Sequence, residues 1–450
     1  MRLNSSQKRR ASQIEIEFTD KPITPFGGMA LIMRFFEKLK IKRVLQHGLP
    51  DQRTSPNATP VLDIAISFVA AVLCGATRFS HVERIRNDRA LSEILGMDSV
   101  PCASTVTRYF NAFTHGQVEL LSQRLWKWTL KRFPKTVNAC TLDLDSSVFT
   151  RYGEQEGARK GYNPKKPGRP SHRPIFAFLA ELKIVANLWL RSGNVGDLSG
   201  LDHFLDETLA KLPPNIKIKA VRADSGFHAE SAFEYFERRK LPYVVYVRMD
   251  PRIQRSIAAI EQWRPIKDDP HREIAELEYQ ALSWKKPRRM IVVRERVRPG
   301  KDNRGKMLFD IIDYTYTAVI TSMSDPAIEV WRFYNKRADC ENRIKELKED
   351  FGADGFCLDS FFGTEAALRL VAFTYNLITF FRVAVLRNPS PTLKTIRYQV
   401  LVLGAQMGSS ARKKKLRISA QGQLRKNLKT LLKRIAEIDE VLLRCSWMGR

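Results

Sequence analysis

The feature that constrains this chain most is a change of hydrophobic period near Val137. Ahead of it apolar residues recur at helical spacing, whereas in the run NACTLDLDSSVF, residues 138–149, they alternate in strand fashion. Residues 173–182 and 184–191 read as two further strands, 199–212 as a helix, 216–223 as a strand, 228–240 as a helix and 243–247 as a strand. Three strands, a helix, a strand, a helix and a strand specify a mixed α/β sheet flanked by helices. In such a sheet, carboxylates at the ends of neighbouring strands can meet.

The flanks are of other kinds. Residues 1–135 read as an α-helical N-terminal region, with helices at 27–39, 61–75, 81–95, 104–113 and 117–133 and a polar loop at 50–60. Thr59 is placed to cap the second of these. That helix is apolar, but it carries Asp63 and is shorter than the ~20 residues that span a bilayer, so it reads as buried. Short helices with Thr105, Thr107 and Arg108 at a helix start suit a helix-turn-helix reader of DNA as well as a plain bundle. Residues 250–323 read as a β-rich insertion, with strands at 273–282, 288–296, 307–314 and 316–321. The core resumes over 324–390 with helices at 331–351 and 365–386, and residues 391–450 form a basic helical C-terminal region, amphipathic over 409–447. The expected division is therefore 1–135, 136–249, 250–323, 324–390 and 391–450.

Lys and Arg outnumber Asp and Glu by 76 to 48, and the resulting charge of +28 suits a polyanionic partner, nucleic acid first. An architectural binder could be as basic, so charge alone does not make an enzyme. The six cysteines form no CxxC pair, which argues against a zinc site and for a reduced, cytoplasmic protein. The opening MRLNSSQKRR has no apolar run behind its charges and does not read as a signal peptide.

Two acidic residues stand where strands should end. Asp145 closes the first strand before Ser146 and Ser147, and Asp224 closes the fourth before Ser225 and Gly226. Asp143 shares a face with Asp145 by alternation and competes for the first position. The stretch WRFYNKRADCENRIKELKEDF, residues 331–351, has no Pro and no Gly and reads as one helix. Setting Tyr334 at 0° puts Arg337 at about −60°, Glu341 at about −20° and Lys348 at about −40°, a narrow polar stripe beside an apolar one. Singly these are ordinary features: an aspartate opening a turn, and an i,i+4 ion pair between Arg337 and Glu341. Converging carboxylates would be different, because like charges brought together call for a cation. Between the two aspartates, Lys165, Lys166, Arg169, His172 and Arg173 lie in a Pro- and Gly-interrupted loop that suits a DNA backbone.

Asp145, Asp224 and Glu341 resemble the acidic triad of DDE transposases. Tyr334, Arg337, Glu341 and Lys348 match the Y-x2-R-x3-E-x6-K signature of the cut-and-paste insertion-sequence transposases of bacteria. The resemblance covers about residues 137–385, and the β insertion between the second Asp and the Glu agrees with it. It implies a ribonuclease H-like core and a triad holding two ions of Mg²⁺ or Mn²⁺. It further implies cleavage at the ends of an element and joining of the freed 3′-hydroxyl to target DNA, by a homodimer on paired ends. Tyr334, Arg337 and Lys348 would hold the DNA end. Trp284, or else Trp263, would stack a flipped base in a hairpin intermediate. A metal-dependent nuclease of the same fold and a non-catalytic DNA-binding protein are the other classes, and only the enzymes require an intact triad.

Overall fold

The structure, a computed structural model, describes residues 15–53, 55–132, 137–296, 314–411 and 413–438. After a two-residue strand β1 (Ile23–Thr24), the helical spacing of the first third yields α1 (Met29–Lys38), α2 (Ile41–Gly48), α3 (Val61–Leu73), α4 (Val82–Arg86), α5 (Arg89–Leu95), α6 (Ala103–Asn111) and α7 (His115–Leu130). Every residue of α3 from Ile64 onward is buried, as an all-round apolar helix requires. Its N-cap is Pro60 rather than Thr59, and no side chain caps it. The expected helix over 81–95 is two helices, because Asp88 accepts a hydrogen bond from the backbone N–H of Leu91 and starts α5 afresh.

Alternation then produces β2 (Ala139–Ser146), three short strands β3 (Phe149–Thr150), β4 (Arg159–Lys160) and β5 (Pro170–His172), and the longer β6 (Ile175–Leu179) and β7 (Ile184–Trp189). Next come α8 (Leu201–Lys211), β8 (Lys217–Ala223), α9 (Glu230–Arg238) and β9 (Tyr243–Tyr246). The insertion supplies α10 (Pro251–Ala258), β10 (Arg264–Ile266), β11 (Asp269–Tyr279), β12 (Arg288–Arg296) and β13 (Tyr314–Thr321). The strand expected at 307–314 lies, apart from Tyr314, outside the described residues.

Nine of these strands form one sheet in the order β10-β11-β12-β13-β9-β8-β2-β6-β7. β2, β8 and β9 run parallel, while β6 and β7 are antiparallel additions beside β2. The insertion is joined edge to edge with this core: β13 pairs antiparallel with β9, placing Val319 opposite Tyr246. It thereby satisfies the backbone groups that β9 would otherwise leave at an open edge.

The stretch predicted as one helix over 331–351 is two, α11 (Ala327–Asn335) and α12 (Ala338–Glu349). At the joint Arg337 N–H donates to Tyr334 O and Cys340 N–H to Arg337 O, each 2.8 Å, which are i to i−3 bonds that tighten the turn. The α-helix is interrupted there, so the 100° spacing does not carry from Tyr334 through to Glu341. Tyr334 packs instead with Val330 and Trp331 of α11 against Val244 and Val319 on one face of the sheet.

Next is α13 (Phe361–Phe381), continued by wider helical turns to Leu386. This span is apolar and long enough to cross a membrane, yet it is 94% buried inside the fold and serves as a core helix. After the short α14 (Leu393–Ile396), the C-terminal region departs from its predicted helix. Residues 405–418 form a hairpin, β14 (Ala405–Ser410) and β15 (Lys413–Ile418), with β1 alongside, and the described chain beyond it is helical over α15 (Gly422–Glu437). The run Lys413, Lys414, Lys415 is thus on an exposed strand.

Candidate active site

Parallel pairing of β2 with β8 sets Asp143 opposite Arg222. The two side chains join through bonds of 2.6 and 2.8 Å, and Asp143 is 1% exposed. Asp143 is therefore taken up in tying the strands together. Burial pushes its carboxyl up, and Arg222 opposes that.

Two residues on, Asp145 faces Arg337. Arg337 Nη2 lies 3.0 Å from Asp145 Oδ2, and Nη1 donates to Glu341 Oε1 at 2.8 Å. The same guanidinium reaches the carbonyl of Leu144 at 3.3 Å. Burial pushes the Asp145 carboxyl up to about 7, with Arg337 pulling down and the charges of Asp224 and Glu341 pushing further up. Asp224 leaves the end of β8, its carboxylate accepting from the N–H of Gly226 at 3.0 Å. Its pKa too is raised by burial, against the pull of Arg337. The three predicted carboxylates thus share the field of one buried arginine. Their settings differ, since Asp145 is buried and the Glu341 side chain is 65% exposed. Among the described residues no three His, Cys, Asp or Glu side chains are gathered closely enough to hold a metal ion.

A fourth carboxylate was not foreseen. Asp197, in the loop after β7, accepts from Ser146 Oγ at 2.5 Å and from Arg173 Nη2 at 2.6 Å. A side chain at Gly226 would collide with it, so Asp197 abuts the turn that carries Asp224. No periodicity or local motif marks an aspartate in this Gly-rich loop, which only the fold brings to the site.

Beside Glu341 opens a cleft of about 1280 Å³. Lys165, Lys166, Lys345 and Lys348 line it together with Arg78 from the helical region. Lys348 Nζ is 3.3 Å from the carbonyl of Val148, and partial burial lowers its pKa. Lys165, Lys166 and Arg169 are exposed, whereas Arg173 is held by Asp197 and His172 is buried on β5. Four residues assigned to DNA from sequence are turned inward. Besides Arg173, Tyr334 stacks at 5.8 Å on Tyr246, Arg337 is 3% exposed, and Trp284 packs among His228, Phe233 and Tyr279. The indole of Trp284 fills the core because α9 and β11 close over it, which leaves no open ring for a base. Trp263 is half-buried beneath Arg294.

The family model described as transposase DDE domain, group 1, matches residues 6–440. The chain belongs to this family. It is a DDE-type transposase. Among solved structures it is similar to a piggyBac transposase synaptic complex with hairpin DNA determined by cryo-EM. The identity is 12% and the TM-score 0.42, over 94% of this chain and 88% of that one. Comparison with curated proteins returns no match.

The donor chemistry of the transposase fits a hard divalent cation. Asp145, Asp224 and Glu341 offer oxygen ligands whose mutual repulsion a cation would relieve. Arg337 already supplies positive charge to two of them, and the exposed Glu341 is the one free to change partner.

Proposed function

We propose that this transposase cuts DNA at the ends of an insertion sequence of the bacterial cut-and-paste class and joins the freed 3′-hydroxyl to target DNA. Asp145, Asp224 and Glu341 are the residues that hold Mg²⁺ or Mn²⁺, two ions per site, on a ribonuclease H-like core. The strand order, with three consecutive antiparallel strands followed by two parallel ones on the other side of the first, supports that core. The bound ions would activate the attacking oxygen and stabilise the leaving one. The single observation that carries the reading is the bridge from Asp145 through Arg337 to Glu341 at the mouth of a lysine-lined cleft.

In this reading Arg337 orients the two carboxylates from within and does not grip DNA. Lys348, Lys165, Lys166 and Arg169 present cations to phosphates. The protein works as a homodimer on paired terminal inverted repeats, in the bacterial cytoplasm. The test is to incubate the purified chain with Mg²⁺ and DNA carrying the inverted repeats that border its gene, beside an Asp224→Ala variant. Cleavage and strand joining by the parent alone are expected. Equal cleavage by both would overturn the site, and cutting without joining would make the protein a nuclease.

A further inference from the structure

Arg151 follows β3, six residues beyond Asp145, and reaches the wall of the cleft that Glu341 and Lys348 also line. It is 2% exposed. Its Nε donates to His172 Nδ1 at 3.0 Å and its Nη1 to the carbonyl of Asp354 at 2.5 Å. Its Nη2 is buried and has no hydrogen-bond partner among the described residues. Among the described residues no carboxylate forms an ion pair with it. His172 is itself fixed, since its Nε2 pairs with the carbonyl of Glu156 at 2.8 Å. With Nδ1 accepting from Arg151, the ring is neutral and Nε2–H is the donor.

The side-chain hydrogen bonds of Arg151 go to neutral acceptors, and the pull of Asp354 and Cys357 offsets only part of the lost hydration, so burial still lowers its pKa. Lys165, Lys166 and Lys348 line the same cleft, and Lys165 adds to the depression of the Lys348 pKa. The arrangement is a preorganised donor with Nη2 unpartnered, in the wall of the lysine-lined cleft that also holds Glu341. An anion with oxygen acceptors, placed there, would supply the missing hydrogen bond and complete the compensation that Asp354 provides only in part.

We propose that Arg151 is the floor of a phosphate subsite. It takes one backbone phosphate of the DNA strand lying in the cleft, while Lys165, Lys166 and Lys348 neutralise its neighbours. The assignment rests on the transposase reading above and adds one specific, buried contact to it. His172 is a positioning residue that holds the guanidinium by its Nε and leaves Nη2 for the ligand.

The test uses the full chain, and duplex DNA carrying the flanking inverted repeats in which one phosphate at a time is replaced by a neutral methylphosphonate. For the parent, neutralising one particular phosphate near the cut should weaken binding by about tenfold, the size of a charge-assisted contact. For Arg151→Gln the same replacement should cost almost nothing, while losses at the other positions stay as in the parent. Losses of equal size in both proteins at every position would overturn the subsite. Arg151→Lys, which keeps the charge but not the fork, is scanned in parallel and should retain part of the loss at the same phosphate. Should Arg151→Gln not fold, an Arg151→Lys scan identical to the parent's would overturn the subsite by itself. Failure of the parent to cut this DNA in Mg²⁺ would count against the transposition reading. Cutting by the parent with no Arg151-linked phosphate would count against the subsite alone.

Discussion

Arg337 at the acidic end of the sheet and Arg151 in the basic wall of the cleft are both buried, and the two are compensated in different ways. Arg337 is 3% exposed and bridges Asp145 and Glu341. Arg151 is 2% exposed, and its side chain hydrogen-bonds to a neutral imidazole and a carbonyl. The carboxylates around Arg337 raise its pKa despite burial, whereas burial lowers that of Arg151. One arginine completes a site within the protein, and the other is left for a ligand to complete. That separates the chemistry of the two regions, with carboxylates gathered where cations would go and cations gathered where phosphates would go.

The largest test of this division is catalytic. Asp224→Asn and Glu341→Gln keep size and shape but remove ligand charge, so each should lower Mg²⁺-dependent cleavage by about a thousandfold or more. The assay is cleavage of inverted-repeat DNA, with circular dichroism to verify the fold. A variant that retains cleavage removes its residue from the acidic set.

Stability compares the arginines directly. Arg337→Gln leaves Asp145 buried without its counter-charge, and breaking such a pair from one side costs about 3–5 kcal/mol. Arg151→Gln removes a charge that Asp354 offsets only from a distance and that no ion pair holds among the described residues, so its loss should be smaller despite the two hydrogen bonds given up. Urea unfolding without DNA measures both. Equal losses would mean that Arg151 has an unrecognised internal partner and would erase the contrast.

Acid acts on the Arg151 side. Burial and the neighbouring Arg151 push His172 down to about 4 from an ordinary value near 6.5. Above the unfolded value neither state is protonated and His172 makes no difference. As pH falls from 6.5 towards 4 the unfolded chain takes up the proton first, and stability is lost through that window. The loss between pH 7 and pH 5 should be about 2 kcal/mol from this residue. His228, also pushed down to about 4 by burial, adds to the parent's slope. His172→Gln should therefore flatten the dependence in part, as read from urea midpoints at the two pH values. An unchanged slope would mean that His172 stays solvated.

Much of this was legible in the chain itself. Alternation at residues 138–149 and the strand and helix order after it specify the sheet around β2, β8 and β9, and the positions of Asp145 and Asp224 follow from where those strands stop. The sequence favours Asp145 over Asp143 for the Ser146–Ser147 turn beside it, and strand register adds what the sequence does not show, an arginine, Arg222, opposite Asp143. The joint between α11 and α12 was invisible for a physical reason. Lys336 and Arg337 are good helix formers with helical angles, and the tightened turn coincides with a guanidinium paired inward with a carboxylate, Asp145, far away in sequence. Tyr334 was accordingly misplaced on the polar stripe, and Trp284 was assigned to DNA although the fold buries it. Arg151 carried no signal, since a single arginine after a short strand gains meaning only from the partners it lacks.

The smallest expected effect tests the outer rim of the cleft. Lys165 and Lys166 are exposed, so removing them should leave stability unchanged and act only through phosphates. Each lysine that neutralises a phosphate contributes about one unit to the slope of log affinity against log salt. The double variant Lys165→Ala, Lys166→Ala should therefore bind DNA with a slope shallower by about two, similarly for specific and unrelated sequences. Fluorescence anisotropy across a salt series measures it. A slope unchanged from the parent would remove this loop from the DNA path. The cleft's attraction for phosphate would then rest on Arg151, Lys348 and Lys345, and the compensated and uncompensated regions would stand closer together than the exposed loop implies.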